Sequence, residues 1–248
     1  MDFIRHFDGI DATGLALVGY TSGLCGEWTP ERFETLASLL GIDRSQIVLA
    51  YERHTDRVYV AEAKDAGAGV VRAHDGAPFD AIITREKGLA LCVKTADCVP
   101  IVLLDPMKGV AGVVHSGWMG SSKHIAGKTV KKMAEVFGSA PGDILCFMGP
   151  YNHACCYEVG EDVRLRFREA FSEEECETLF RKKDEAGKYW LDLGLAVSFS
   201  LRREGVAPAH IHDSGLCTFH TSTFSSWRRT RNKKDQMLTY ILLRTMNA

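Results

Sequence analysis

The sequence predicts one continuous α/β domain spanning residues 1–248. Three observations carry this. Short apolar runs of strand length recur along the chain. Segments with apolar residues three and four apart lie among them, as amphipathic helices require. No linker rich in Pro, Gly or Ser and no internal repeat divides the 248 residues. A chain of this length buries roughly 70–75% of its unfolded surface, enough to hold a core without staples.

The elements follow in order. Leu15–Tyr20 reads as a strand. Thr29-Pro30 opens a helix, because Thr caps and Pro suits the first helical position. Phe33, Leu36, Leu39 and Leu40 share one face of it, and Gly41 stops it. A strand-rich middle comprises Gln46–Tyr51, Val58–Ala61, Ala81–Thr84, Leu89–Lys94, Pro100–Leu104 and Val110–His115. Ser121 or Ser122 caps a helix that runs to Phe137, with Ile125, Thr129, Met133 and Val136 on one face and Gly138 after it. Ile144–Met148 is another strand; Val159–Phe171 and Glu173–Phe180 read as helices, the second opened by three glutamates that suit the helix dipole. Leu193–Glu204 is a helix ended by Gly205, and Gln236–Leu243 closes the chain as a strand.

Composition narrows the function classes. Lys and Arg total 30 against 32 Asp and Glu, a net charge of −2, which argues against a nucleic-acid binder that must present a positive face to phosphates. The Arg228–Lys234 run holds five basic residues, too short for such a surface but suited to a small anion. Eight cysteines in a chain this long do not make a disulfide scaffold. Residues 1–11 show no apolar signal segment, and runs such as Ile101–Leu104 are far short of a membrane span. The expectation is a cytoplasmic protein with reduced thiols, no membrane or nucleic-acid partner, and a monomeric or homodimeric state.

Three residues stand out as candidates for chemistry. His54 lies in a charged turn between two apolar strands, Cys98 lies between two strands, and His115 ends a strand and opens His115-Ser116-Gly117-Trp118-Met119-Gly120. Strand ends are where α/β folds gather their sites. Two imidazoles and a thiolate suit Zn²⁺ with three protein ligands and one open position. Intervals of 44 and 17 residues do not by themselves establish a metal site, and no C-x-x-C or H-E-x-x-H element is present. Gly117, Gly120, Ser121 and Ser122 lead into a helix, which reads either as an anion loop with exposed backbone N–H groups or as a plain tight turn with a capping serine. Asp97 and Asp56 are candidate proton carriers or partners of the ligand imidazoles. Cys155-Cys156 reads as two packed thiols or a vicinal disulfide, and His210-Ile211-His212 as two imidazoles on one face of a strand.

The segments Ala81–Thr84, Thr95–Pro100 (TADCVP), His115–Gly120 (HSGWMG), Gly149–Gly160 (ending CCYEVG), Cys217-Thr218 and Trp227–Arg229 (WRR) occur in one order. Together they resemble the YfiH-like family, long labelled polyphenol oxidase or laccase domain and associated with purine nucleoside phosphorylase, methylthioadenosine phosphorylase and adenosine deaminase activities. The resemblance covers most of the chain from about Gln46 onward. It implies a layered α/β/β/α fold with mixed sheets, similar to that of toxin deamidases with a catalytic Cys–His pair. It implies zinc on His54, Cys98 and His115, the same three residues, with Cu²⁺ able to replace it. It also implies a pocket for purine nucleoside and phosphate, assigned to Gly117, Trp118, Gly120, Ser121, Arg228 and Arg229. Catalytic roles are expected of Cys98, His54 and His115, with Asp97 added from its own position as a candidate proton carrier.

Three departures from the family pattern bear on substrate identity. Glu52 stands where relatives often have Gln. Met119 stands where the HxGW loop usually has Arg. The N-terminal Leu-Asn element is not recognisable between Thr21 and Glu34. The implied activity is zinc-dependent phosphorolysis of adenosine, inosine, guanosine or methylthioadenosine, with adenosine deamination beside it. The alternatives are a copper phenol oxidase, a metal-free Cys–His hydrolase or deamidase, and a binding protein without catalysis. A multicopper oxidase needs many paired H-x-H ligands, and the chain has one such pair among nine histidines. The zinc deaminase signature H-x-E with P-C-x-x-C is absent.

Overall fold

A computed structural model describes residues 4–7, 14–22 and 26–245. Two mixed sheets pack face to face. The first runs β1 (Ile4–His6), β2 (Ala16–Thr21), β14 (Met237–Leu243), β6 (Ala90–Thr95) and β3 (Ile47–Leu49) in spatial order. The second runs β13 (Ile211–Asp213), β9 (Leu145–Met148), β7 (Val99–Asp105), β8 (Val110–Ser116), β5 (Ala81–Thr84) and β4 (Val58–Val60). Period-two alternation decides which face each side chain joins. Leu91 and Val93 of β6 and Ile241 of β14 meet Ile82, Val102, Leu104, Val113 and Phe147 of the second sheet in one core. Their neighbours Cys92, Leu238, Tyr240 and Leu242 point outward onto α1 (Pro30–Leu40). Val99, Ile101, Leu103 and Val114 point the other way, onto α3 (Ile125–Phe137), α4 (Glu161–Arg168), α5 (Glu173–Leu179) and α6 (Leu193–Arg203). The result is the expected α/β/β/α layering. Strands covered on both faces explain why β7 and β8 are apolar at nearly every position.

The α1 boundaries follow the sequence reading: Pro30 starts it and Gly41, at φ 69°, ends it. Leu39, expected on the buried face, is 58% exposed, because the helix rests on Phe33, Leu36, Ala37 and Leu40. The helix expected from Ser121 or Ser122 to Phe137 is two helices. A single turn, α2 (Trp118–Ser121), is capped by Gly117, and α3 starts only at Ile125 after His124 turns the chain at φ 59°. Val136 faces solvent rather than the core. Val159 lies not in a helix but in β10 (Glu158–Gly160), which pairs with β12 (Lys188–Leu191); β12 pairs on its other side with β11 (Phe180–Lys182), making a third, three-stranded sheet that the periodicity did not reveal. His210 ends a 3-10 turn and His212 lies on β13, stacked on Phe147, so the two imidazoles do not form the expected pair on one strand face.

Candidate metal centre and active site

The register of the second sheet builds the site. Val99 of β7 lies opposite Ser116 of β8 and Pro100 opposite His115, so Cys98, one residue before β7, is set beside the end of β8. Ala81 of β5 lies opposite Val114, which brings Asp80 to His115. Val58 of β4 lies opposite Ala81, so the turn before β4, carrying His54, covers the same end. His54, Cys98 and His115 each offer a donor atom, and the three atoms lie within 4.8 Å of one another. The two imidazole rings are 4.9 Å apart at a 60° tilt.

Asp80 organises this cluster. Its carboxylate is fully buried and accepts five hydrogen bonds. His115 Nδ1 donates at 2.8 Å and the His54 backbone N–H at 3.0 Å to one oxygen. Arg53 N–H at 3.2 Å, Thr55 N–H at 2.7 Å and the Thr55 hydroxyl at 2.7 Å donate to the other. One side chain therefore fixes the His115 tautomer and folds the His54 turn, in which His54 itself sits at φ 56°. With Nδ1–H spent on Asp80, His115 keeps Nε2 free to ligate. Burial alone would raise the Asp80 pKa, but the His115 and Thr55 donors win and hold it down at about 2. Burial disfavours His115 as imidazolium, yet the adjacent Cys98 sulfur and the Asp80 carboxylate raise its pKa well above the usual value. His54 shifts down, through burial and then the neighbouring His115.

The donor set fits a borderline-soft divalent metal, and a glycine keeps the space beside it clear. A Cβ on Gly117 would lie 2.7 Å from His54 Nδ1 and 3.0 Å from Cys98 Sγ. Two imidazoles and a thiol, with a carboxylate behind one imidazole and the Gly117 backbone packed against the other, match the donor set of a three-ligand centre.

The other expected residues surround it. Asp97, at φ 94°, does not touch an imidazole; it accepts from the Thr218 hydroxyl at 2.7 Å and the Arg228 backbone N–H at 2.6 Å. Asp56 pairs with Lys128 and Lys123 instead. The imidazole partner is Asp80, which sequence reasoning passed over. The available signal was an acid set between Phe79 and the apolar strand that follows. Arg228 lies in α7 (Trp227–Thr230), with its guanidinium over the Tyr157 ring and bonded to the Glu158 carbonyl at 2.9 Å. Burial, then the nearby Cys98, raises the Tyr157 pKa. The Arg229 guanidinium is spent on the carbonyls of Thr218, Phe219, Thr221 and Phe224. Ser121 is buried with its hydroxyl against Ser116 at 2.8 Å, and Gly120 lets α2 approach the Thr55 carbonyl. Trp118 is half-buried at the loop. Glu52 caps the Lys94 N–H at 2.6 Å, and its pKa is raised by burial.

The profile of the family described as "Multi-copper polyphenol oxidoreductase laccase" matches residues 27–244. The chain belongs to this laccase-like YfiH family. YfiH-family relatives include the purine nucleoside phosphorylase YlmD of Bacillus subtilis, 34% identical over 84% of this chain and 74% of that protein. The purine nucleoside phosphorylase of Bacteroides thetaiotaomicron is 30% identical over 97% and 92%. An adenosine deaminase from an unknown prokaryotic organism is 35% identical over 78% and 74%. Among solved structures, Bacillus licheniformis YfiH superposes with a TM-score of 0.90 at 27% identity, covering 98% of this chain and 97% of that one. YlmD from Geobacillus stearothermophilus superposes at 0.87 with 28% identity, covering 99% and 100%. Membership in the YfiH family places this chain among proteins that process purine nucleosides. No helix among the described residues is long and apolar enough to cross a membrane.

Proposed function

We propose that this chain is a zinc-dependent purine nucleoside enzyme whose principal reaction is phosphorolysis: a nucleoside and phosphate yield free base and ribose-1-phosphate. The observation that carries this reading is the convergence of His54, Cys98 and His115, with Asp80 bonded behind His115. Zinc, when bound by these three, supplies Lewis-acid polarisation of an oxygen at its open position. The remaining work falls to the protein. Asp80 holds the His115 ring and the His54 turn in place, and Gly117 keeps the space before them free. Trp118 offers an apolar wall for a base, and Arg228 an anchor for phosphate beside it. Arg229 serves the scaffold, since its nitrogens are taken by four carbonyls. In phosphorolysis the bond from ribose C1′ to the base nitrogen breaks, a phosphate oxygen bonds to C1′, and the base leaves with a proton. Holding two reactants in line removes much of the entropic barrier.

Chromatography of adenosine, inosine, guanosine and methylthioadenosine, each with and without phosphate, tests the reading. Phosphate-dependent release of base together with ribose-1-phosphate supports it. Free ribose without phosphate reassigns the enzyme as a hydrolase, and inosine formed from adenosine without phosphate shows deamination, the activity named for one relative. A second reading rests on the chain of contacts from Cys98 to His115 to Asp80, which is also the layout of a metal-free thiol hydrolase. Elemental analysis of protein purified without added metal separates the two and distinguishes zinc from copper.

A further inference from the structure

We infer that the chain carries a second metal site, a closed Cys3His centre for Zn²⁺ formed by Cys155, Cys156, Cys217 and His220. These four residues each offer one donor atom, and all four atoms lie within 4.8 Å of one another. The separations resemble the edges of a tetrahedron. Cys155 Sγ and Cys217 Sγ are 3.8 Å apart, and two thiolates about 2.3 Å from one tetrahedral zinc stand about 3.8 Å apart. His220 Nδ1 is 3.7 Å from Cys155 Sγ and 3.8 Å from Cys156 Sγ, while His220 Nε2 is 3.2 Å from Cys156 Sγ. Cys155, Cys156 and Cys217 are free thiols. Three sulfurs and an imidazole fill the four positions of a structural zinc and leave none for substrate, unlike the three-donor centre at His54, Cys98 and His115.

Two short turns present the ligands. Cys155 and Cys156 lie in a turn closed by the Cys156 and Tyr157 N–H groups on the His153 carbonyl. Cys217 and His220 are three residues apart in a turn closed by the Thr221 N–H on the Cys217 carbonyl, so both project from one side. The backbone N–H groups of His153, Phe219 and His220 face the Cys217 sulfur, the kind of surrounding shell that orients a metal thiolate. Backbone contacts already bring the two segments together: Tyr151 bridges Cys217, and the Thr218 N–H bonds the Tyr151 carbonyl at 2.9 Å.

The position gives the metal a task. Next to Cys156, Tyr157 carries the Arg228 guanidinium on its ring. Next to Cys217, Thr218 donates to Asp97, which also receives the Arg228 backbone N–H. A metal on the four residues therefore staples the 153–157 turn to the 217–220 turn and holds Arg228 and Tyr157 beside the three-donor centre. The ion is structural. Its loss loosens substrate contacts without removing the ligands His54, Cys98 and His115.

The test uses the full chain equilibrated with Zn²⁺ alone and freed of excess. Elemental analysis should give about two ions per chain, about one in Cys98→Ala, and about one in the paired variant Cys217→Ser, His220→Ala. The paired variant should raise the KM for nucleoside or phosphate several-fold more than it lowers kcat, and should melt at a lower temperature. A readout that needs no variant is thiol labelling of the native wild-type protein with a maleimide, mapped by mass spectrometry. Zn²⁺ should slow labelling of Cys155, Cys156 and Cys217 at least tenfold. The inference is overturned if Cys98→Ala binds no zinc, if these three cysteines label equally fast with and without Zn²⁺, or if unreduced protein carries a Cys155–Cys217 disulfide. None of these outcomes depends on catalysis, so the inference and the proposed reaction fail or stand separately.

Discussion

Replacing Asp80 by Asn changes one atom and removes one charge, yet it should impair both stability and metal binding. The two carboxylate oxygens accept five hydrogen bonds in a fully buried position. An amide offers only one accepting oxygen. With its nitrogen toward His115, the His54 N–H and His115 Nδ1–H lose their acceptor; turned over, it faces Arg53 N–H, Thr55 N–H and the Thr55 hydroxyl. With the His115 proton kept on Nδ1, at least two donors are orphaned either way. At about 1–3 kcal/mol for each unsatisfied buried donor, the loss is about 2–6 kcal/mol. That is a large share of a typical domain's roughly 5–15 kcal/mol, so the variant should fold but with little margin. His115 can answer by moving its proton to Nε2, which removes the lone pair needed for a metal. Zinc affinity should therefore fall about 10–100-fold, the usual cost of losing a carboxylate behind a ligand imidazole. Urea unfolding measures the first quantity and competition with a chelator the second. Thr55→Val, which removes one donor and leaves the carboxylate, is the control and should cost about 1 kcal/mol. Stability within about 0.5 kcal/mol of wild type together with unchanged zinc affinity would refute the reasoning.

Four further outcomes are expected. The Asp80 carboxyl is held down at about 2, so it contributes stability that is present above its ordinary value near 3.8 and lost as pH falls through 2. About 2 kcal/mol should disappear across that window in unfolding experiments, and this part of the slope should be absent in Asp80→Asn. Gly117→Ala keeps an ordinary φ of −76° but places a methyl against His54 Nδ1 and Cys98 Sγ, so zinc binding should weaken at least about tenfold with the fold intact by circular dichroism. Cys98→Ala should lose the catalytic metal and nucleoside turnover while remaining folded, and full turnover in it would remove Cys98 from the centre. Arg228→Ala should mainly raise the KM for phosphate, whereas Arg229→Ala, which orphans four carbonyls, should lower the unfolding free energy by about 2 kcal/mol or more.

The strand ends and the three ligand types were legible because they are local facts. β5 matches the sequence reading at both ends, the strand after Cys98 extends one residue further at each end than Pro100–Leu104, and the strand carrying His115 starts at Val110 as read and ends one residue later, at Ser116. Apolar runs bounded by polar turns reveal strands, and thiol and imidazole at such boundaries suggest a soft metal. Helix α1 was legible for the same reason, since Pro30 and Gly41 punctuate it. Asp80, Arg229 and the Cys156–His220 contact belong to another level. Asp80 is a local acid until the pairing of β5 with β8 places it against His115, 35 residues away. Arg229 lies in a basic run that suggested an anion, and only the folded 218–224 loop shows its charge turned onto carbonyls. Cys155 and Cys156 read as a pair with each other until the chain brings Cys217 and His220 to them across more than 60 residues. Short-range pattern follows from backbone geometry and burial and is written in each segment. Which polar groups meet is decided by sheet register, where a slip of one residue would send every side chain to the opposite face and dissolve the site.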